Sequence, residues 1–336
     1  MKSLTVVFPE AQRCDVIEEE IGDPGPGEIL VQTTVSLIST GTESWCYRGD
    51  FEPGTGWAAW VKYPFYPGYS HVGQVVKVGR QVREFAEGDR VFSVTSHRQF
   101  ATKVAEPGEP VKVPDYIDDE EAAWLMLATI TQTGVRRAEH NMGDRAVVIG
   151  LGPLGQLVTQ YLRTIGLLEI LVIDTIQQRL DMALAHGATH GFCGSAADAY
   201  DFVAQHTNEQ MADVVYDVTG HYAVLPMGLK LARNFGKLVL MGDSPHPSRQ
   251  HLTQDVLSRQ VDIIGTQNQN LPPSQAQRWP FDQQALLFME YLRREQMRVS
   301  DLITHRFSPT EAPAVYELLQ NSRGSTMGVI FDWRQI

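Results

Sequence analysis

Cysteine is scarce in this chain of 336 residues: Cys14, Cys46 and Cys193 are the only three. They lie far apart and form no C-x-x-C pair, which excludes a cysteine-rich zinc lobe and a disulfide framework. Each reads as a small apolar filler. Long apolar runs are missing too, and nothing approaches the roughly 20 residues needed to span a bilayer. The opening MKSLTVVFPEAQ meets Pro9 and Glu10 too soon to serve as a signal peptide, so a cytoplasmic protein without membrane contact is expected. Positive charge is in deficit, with 28 Lys and Arg against 40 Asp and Glu, a net charge of −12. That argues against a nucleic-acid or anionic-membrane partner. There is no internal repeat and no low-complexity linker. What remains, 43% hydrophobic and 20% charged, is ordinary globular composition long enough for about two domains.

The first third reads as β-rich. Strands are expected at 4–8, 29–35, 73–79 and from 88 to 92, with a Pro-Gly-Pro-Gly turn at 24–27. No helical period appears until Asp118, which can cap a helix through 121–127. The pattern then changes. Strands at 146–149, 170–173, 214–216, 237–241 and 261–264 alternate with helices at 154–165, 177–185 and 223–231, which implies a doubly wound parallel sheet of the Rossmann type in an α/β protein. From about Leu302 the chain returns to strand and helix and ends on a strand at 329–331. The expected division is a β-rich domain of residues 1–125 with 297–336, and a dinucleotide-binding domain of residues 126–296.

Residues 150–155, GLGPLG, form a G-x-G-x-x-G between an expected buried strand and an expected helix, the context the motif requires. Gly150 permits the tight turn, Gly152 lets the backbone approach a pyrophosphate, and Gly155 allows helix and strand to pack closely. Pro153 and Leu154 open the helix, whose N-terminus offers N–H groups and partial positive charge to phosphates. Asp174 ends the next strand, where an acid holds the adenosine ribose hydroxyls and repels a 2′-phosphate, so NAD is favoured over NADP. The alternative for Asp174 is a helix cap, and nearby Arg179 keeps NADP open. Thr219 and Gln267, with Asn268, complete the cofactor candidates at the ends of later strands.

The landmarks PGPGEILV at 24–31, Tyr66-Pro67-Gly68 with Gly73 and VVKVG at 75–79, GDRV at 88–91, GLGPLG at 150–155 and LITHRF at 302–307 occur in an order that resembles the medium-chain dehydrogenase/reductase superfamily. The resemblance implies a GroES-like catalytic domain beside the Rossmann domain, and a homodimer or homotetramer. It also marks departures. Zinc-dependent members keep Cys-Gly-Ser/Thr-Asp where this chain has Thr40-Gly41-Thr42-Glu43. They keep Gly-His-Glu where it has Gly68-Tyr69-Ser70, and their third ligand falls here on Leu125-Met126-Leu127. A catalytic zinc needs three His, Cys or carboxylate ligands, so the zinc-free branch is expected, with no metal. The string ISTGTE at 38–43 is similar to one in zinc-free bacteriochlorophyllide hydroxyethyl dehydrogenases and in uncharacterised dehydrogenases of sugar metabolism.

Without a metal, hydrogen-bond donors and a general acid/base must handle the substrate oxygen. The resemblance places Thr42 where relatives keep a proton-relaying hydroxyl and Glu43 where they keep an acid. The usual relay histidine falls on Trp45. Tyr69 and Ser70 stand at former ligand positions, where the phenol could donate to a developing alkoxide or simply fill the vacated space. His71 is expected to point away from Ser70. His97 lies in a loop that lines the substrate pocket of related sugar-alcohol dehydrogenases and offers a proton carrier, against the alternative of an ordinary surface loop. Lys62 is a further candidate. The aromatic stretch 51–66, together with Trp279, offers either a wall for stacking sugars or a hydrophobic cluster.

The expected function is hydride transfer between NAD(H) and a secondary alcohol or ketone, a polyol, sugar or other cyclic alcohol. An NAD(P)H-dependent enone or quinone reductase is the alternative, disfavoured by Asp174. A non-catalytic nucleotide-binding protein is the third reading, disfavoured by the retention of Thr42 beside Tyr69 and Ser70.

Overall fold

The computed structural model describes residues 1–267 and 270–336. The chain forms two compact units, residues 1–127 with 280–336, and residues 128–279. Among the described residues no helix is long and apolar enough to cross a membrane.

The first unit is a hairpin and a larger sheet. Strands Lys2–Val7 and Asp15–Glu20 pair antiparallel. The seven-stranded sheet centres on Glu28–Ile38, a long strand rich in β-branched residues. On one side it pairs with Gly328–Asp332, and on the other with His71–Val78 and then Arg90–Ser93. Phe100–Val104 also pairs with it. A core of Val6, Phe8, Ile38, Cys46, Tyr47, Trp57, Tyr316, Phe331 and Trp333 lies between the sheet and the helices Thr42–Arg48 and Ala312–Ser322.

Several expectations change here. A helix, Thr42–Arg48, exists well before Asp118. Asp118 does cap a helix, its carboxylate accepting the Glu120 N–H at 2.8 Å. That helix is only Asp119–Ala122, and a separate helix runs Leu125–Ala138. The return to the first unit comes at Pro280, not at 297. The cause is helix Phe281–Arg293, whose apolar face buries Ala285, Phe288, Met289 and Leu292 and sets the Phe281 ring 6.0 Å from that of Phe92.

The second unit carries a six-stranded, all-parallel sheet in the order His190–Cys193, Glu169–Asp174, Arg145–Ile149, Ala212–Asp217, Ala232–Leu240, Asp262–Gly265. Successive strands are laid down to one side of Arg145–Ile149 and then to the other, so the carboxyl end of that strand is the topological switch point where such sheets bind ligands. The edge strand His190–Cys193 was not expected from sequence. The interior strands are continuous apolar runs, as a sheet covered on both faces requires.

Candidate functional site

In the second unit, the chain leaves strand Arg145–Ile149 through Gly150, at φ +91°, and enters helix Pro153–Ile165 with Gly152 as N-cap. The three glycines do different work. A Cβ on Gly155 would sit 2.0 Å from the Gly150 carbonyl oxygen, and one on Gly150 would sit 2.6 Å from Thr219 Cγ2. A Cβ on Gly152 would meet nothing within 4 Å. Gly150 and Gly155 thus serve the fold, while Gly152 leaves its space open for a ligand. Pro153 is buried at the first helical position and Leu154 is half-buried.

Asp174 ends its strand and is 9% exposed. Its Oδ2 accepts the Leu151 N–H at 2.7 Å and its Oδ1 the Ile176 N–H at 2.9 Å, so it braces the glycine loop itself. Ile176 is the N-cap of the helix that follows and caps it with no side chain of its own, so Asp174 holds the entry to that helix as well as the loop. Gln156 adds a second brace, donating to the carbonyls of Leu151 and Arg179. Arg179 is drawn inward, and burial lowers its guanidinium pKa while Asp174 raises it. Thr219 donates from Oγ1 to Asp217 at 2.7 Å. Gln267 lines a cavity of about 370 Å³ with Arg137, Gly265 and Thr266. Asn268 lies outside the described residues. Trp279 stacks under Arg136, its ring centre 3.7 Å from the guanidinium carbon.

In the first unit the chain turns from strand Glu28–Ile38 into helix Thr42–Arg48 through Ser39, Thr40 and Gly41. Tyr69 reaches this turn. Its hydroxyl donates to Ser39 Oγ and, at 3.3 Å, to Thr42 Oγ1. Burial pushes the phenol up to about 12, the two hydroxyls opposing that rise and Glu43 adding to it. Tyr69 and Thr42 were both expected at the site, and the structure brings them together. Ser39 completes the cluster and was read only as part of a motif. Ser70 is buried, and its Oγ has no hydrogen-bond partner.

His97 departs most from expectation. It lines no loop surface: it is fully buried, with Nδ1 2.7 Å from Ser36 Oγ and Nε2 3.0 Å from Glu43 Oε2. Glu43 is buried as well. Its Oε2 also accepts the Tyr316 hydroxyl at 2.5 Å, and its Oε1 accepts the Ser39 N–H at 2.7 Å. Trp333 Nε1 donates to Ser36 Oγ at 2.9 Å. Neither His97 nor Glu43 therefore has a free atom for a substrate; together they hold the Ser39–Thr42 turn from behind. Tyr316, Ser36 and Trp333 were not foreseen, being remote in sequence. His71 is buried too, set between the hydroxyls of Thr33 and Ser93. Lys62 folds back, donating to the Ala58 carbonyl at 2.5 Å.

The aromatic stretch is mostly core. Phe51, Trp57, Tyr63 and Phe65 pack into the cluster around Phe8, and Phe51 stacks on Trp57 at 6.0 Å. Only Trp60 and Tyr66 are exposed, so the stretch does not build a stacking wall.

The donors around Tyr69 are neutral hydroxyls, whereas zinc takes thiolate, imidazole or carboxylate. Among the described residues no group of three His, Cys, Asp or Glu could hold a metal ion. The residues at the three positions where zinc relatives keep ligands do not fit that ion.

The sequence matches two families, one in each unit: "Alcohol dehydrogenase GroES-like domain" over residues 25–111 and "Zinc-binding dehydrogenase" over 153–280. It is 24% identical over 334 residues to the sorbitol dehydrogenase of Halalkalibacterium halodurans, covering 90% of this chain and 92% of that protein. The fold is similar to galactitol-1-phosphate dehydrogenase of Escherichia coli, with a TM-score of 0.82 at 19% identity over 99% of this chain and 100% of that one. It is equally similar to the alcohol dehydrogenase RspB of Escherichia coli CFT073 in complex with NADH, with a TM-score of 0.82 at 20% identity over 98% and 99%. With the glycine loop at the switch point of a parallel sheet and the sheet of the first unit matching the GroES-like family, the chain belongs to the medium-chain dehydrogenase/reductase superfamily.

Proposed function

We propose that the protein is a zinc-independent dehydrogenase that transfers a hydride between NAD(H) and a secondary alcohol or ketone, with a polyol or sugar as substrate. The observation that carries this is the Tyr69 phenol resting on the Ser39 and Thr42 hydroxyls, where zinc-dependent relatives keep a metal ligand. The polyol class rests on the names of the relatives, sorbitol and galactitol-1-phosphate dehydrogenase, and no longer on an aromatic wall.

The dinucleotide would be held by the 150–155 loop and Asp174, and it supplies or takes the hydride. Asp174 at the ribose position and the inward burial of Arg179 favour NAD over NADP. The chain's own part is the proton. In reduction, Tyr69 Oη gives its proton to the substrate oxygen as that oxygen gains charge. The phenolate left behind accepts hydrogen bonds from Ser39 and Thr42 and regains a proton from solvent by way of the half-buried Thr42 hydroxyl. In oxidation the proton runs the other way. Glu43 and His97 take no proton from substrate; they fix the turn that carries Ser39 and Thr42.

The test is absorbance of NADH in the presence of chelator, with NAD and a panel of polyols, aldoses and cyclic alcohols. Turnover that survives chelation and prefers NAD is expected. Activity lost to chelator and restored by zinc would overturn the metal-free reading.

A further inference from the structure

The second unit holds a buried carboxylate that the proposed chemistry does not use. Asp217 ends strand Ala212–Asp217 and is 1% exposed. Its Oδ1 accepts the Thr219 N–H at 2.9 Å and the Thr219 hydroxyl at 2.7 Å, and the Gly220 N–H also points to the carboxylate. Its backbone carbonyl accepts the N–H groups of Met241 at 2.9 Å and Gly242 at 3.1 Å. One residue thus ties together the turns that follow two neighbouring strands.

Those turns stand directly against the glycine loop. The Gly150 Cα faces Thr219 Cγ2 so closely that a Cβ would lie 2.6 Å from it, and a Cβ on Gly242 would lie 2.1 Å from the Gly220 nitrogen. At such packing a shift of Thr219 is passed to Gly150.

We propose that Asp217 is a positioning residue for the dinucleotide: its ionised carboxylate holds the Thr219–Gly220 turn that shapes the glycine loop, so cofactor affinity follows its charge. The inference rests on the dinucleotide reading of that loop. The groups around the carboxylate are donors. The Thr219 N–H, the Thr219 hydroxyl and the Gly220 N–H all donate to it, which favours the ionised form. Burial pushes the carboxyl up to about 6, against the pull of those donors. The flanking strands present Ile149 and Leu240 in register with Asp217, and neither titrates. The turns bring Asp243, whose carbonyl packs on Gly220, and His221, whose titration must be separated from that of Asp217. The sign is fixed: affinity is full above about pH 6 and falls as pH drops through that value.

The experiment is calorimetric titration of the full chain with ADP-ribose, which is stable in acid, from pH 8 to pH 5. Wild type should bind ~5-fold more weakly at pH 5 than at pH 8, on the way to the ~10-fold limit expected when binding favours one protonation state by about one pKa unit. Asp217→Asn keeps the shape and the Oδ1 acceptor and should give a flat profile. His221→Ala should keep the wild-type profile. Binding without pH dependence in wild type overturns the inference alone, as does an acid loss that persists in Asp217→Asn and vanishes in His221→Ala. Absence of binding at every pH removes the dinucleotide reading, and this inference with it. The wild-type profile decides the matter even if Asp217→Asn fails to fold.

Discussion

The glycine loop of the second unit and the hydroxyl cluster of the first are built by opposite means. The loop is made of backbone. Its shape depends on what Gly150, Gly152 and Gly155 lack, and a single carboxylate, Asp174, braces it from the next strand. The cluster is made of side chains. Tyr69, Ser39 and Thr42 meet because a second layer of buried polar groups, Glu43, His97, Tyr316, Ser36 and Trp333, holds their turn in place. A site of the first kind tolerates no added atoms in the loop. A site of the second kind depends on groups that never touch a substrate.

The contrast breaks most sharply at the hydroxyl cluster. Tyr69→Phe keeps the ring and removes the proton, so kcat/KM should fall by ~10²–10⁴, the usual worth of a positioned acid/base. NADH binding, measured by its fluorescence, should stay as in wild type. Activity within a few-fold of wild type would place the acid elsewhere. Behind the cluster, His97→Ala strips a buried carboxylate of one of its donors. The expected loss is about 1–3 kcal/mol in urea unfolding. A loss below about 1 kcal/mol would mean that the His97–Glu43 contact is not what secures the turn.

The loop gives a smaller effect and a cleaner control. Gly155→Ala forces a methyl onto the Gly150 carbonyl and should cost about 1–3 kcal/mol or more. Gly152→Ala has open space around it and should change stability by less than about 0.5 kcal/mol while weakening dinucleotide binding. Equal stability loss in both variants would contradict the division of labour among the three glycines.

The same contrast explains what could be read from sequence. The glycine spacing, the apolar strand before it and the acid ending the next strand are local signals, and each landed where expected. A strand as short as His190–Cys193, with alternate residues exposed, carries no such signal. Helix Thr42–Arg48 hid because one of its inward residues is the charged Glu43, which no apolar period would mark. His97 was misplaced because a lone histidine looks the same in a wet loop and in a core. What decides is its partners, and the Tyr316 that shares Glu43 with it lies 273 residues from Glu43 in the chain. Asp217 was open to discovery: like Asp174, it is an acid ending a parallel strand.

His71 shows the cost of burying such groups, and pH reads it out. The Thr33 hydroxyl donates to the Arg98 carbonyl, so it is left to accept from His71 Nε2, while Nδ1 takes the Ser93 hydroxyl at 3.1 Å. This network suits a neutral imidazole, and burial, with the nearby charges of His97, Lys103 and Arg98, lowers its pKa to about 3. The unfolded chain takes up that proton near the ordinary histidine value of about 6.5, so it binds the proton first as pH falls. The contribution to stability is therefore complete above about 6.5 and is lost progressively as pH falls from there to about 3. Urea midpoints at pH 7, 6, 5 and 4 should fall more steeply for wild type than for His71→Gln, the difference approaching ~1.4 kcal/mol per pH unit. Parallel slopes would mean that the ring gains its proton in the folded state as readily as in the unfolded one, and that the hydroxyls of Thr33 and Ser93 do not hold it neutral.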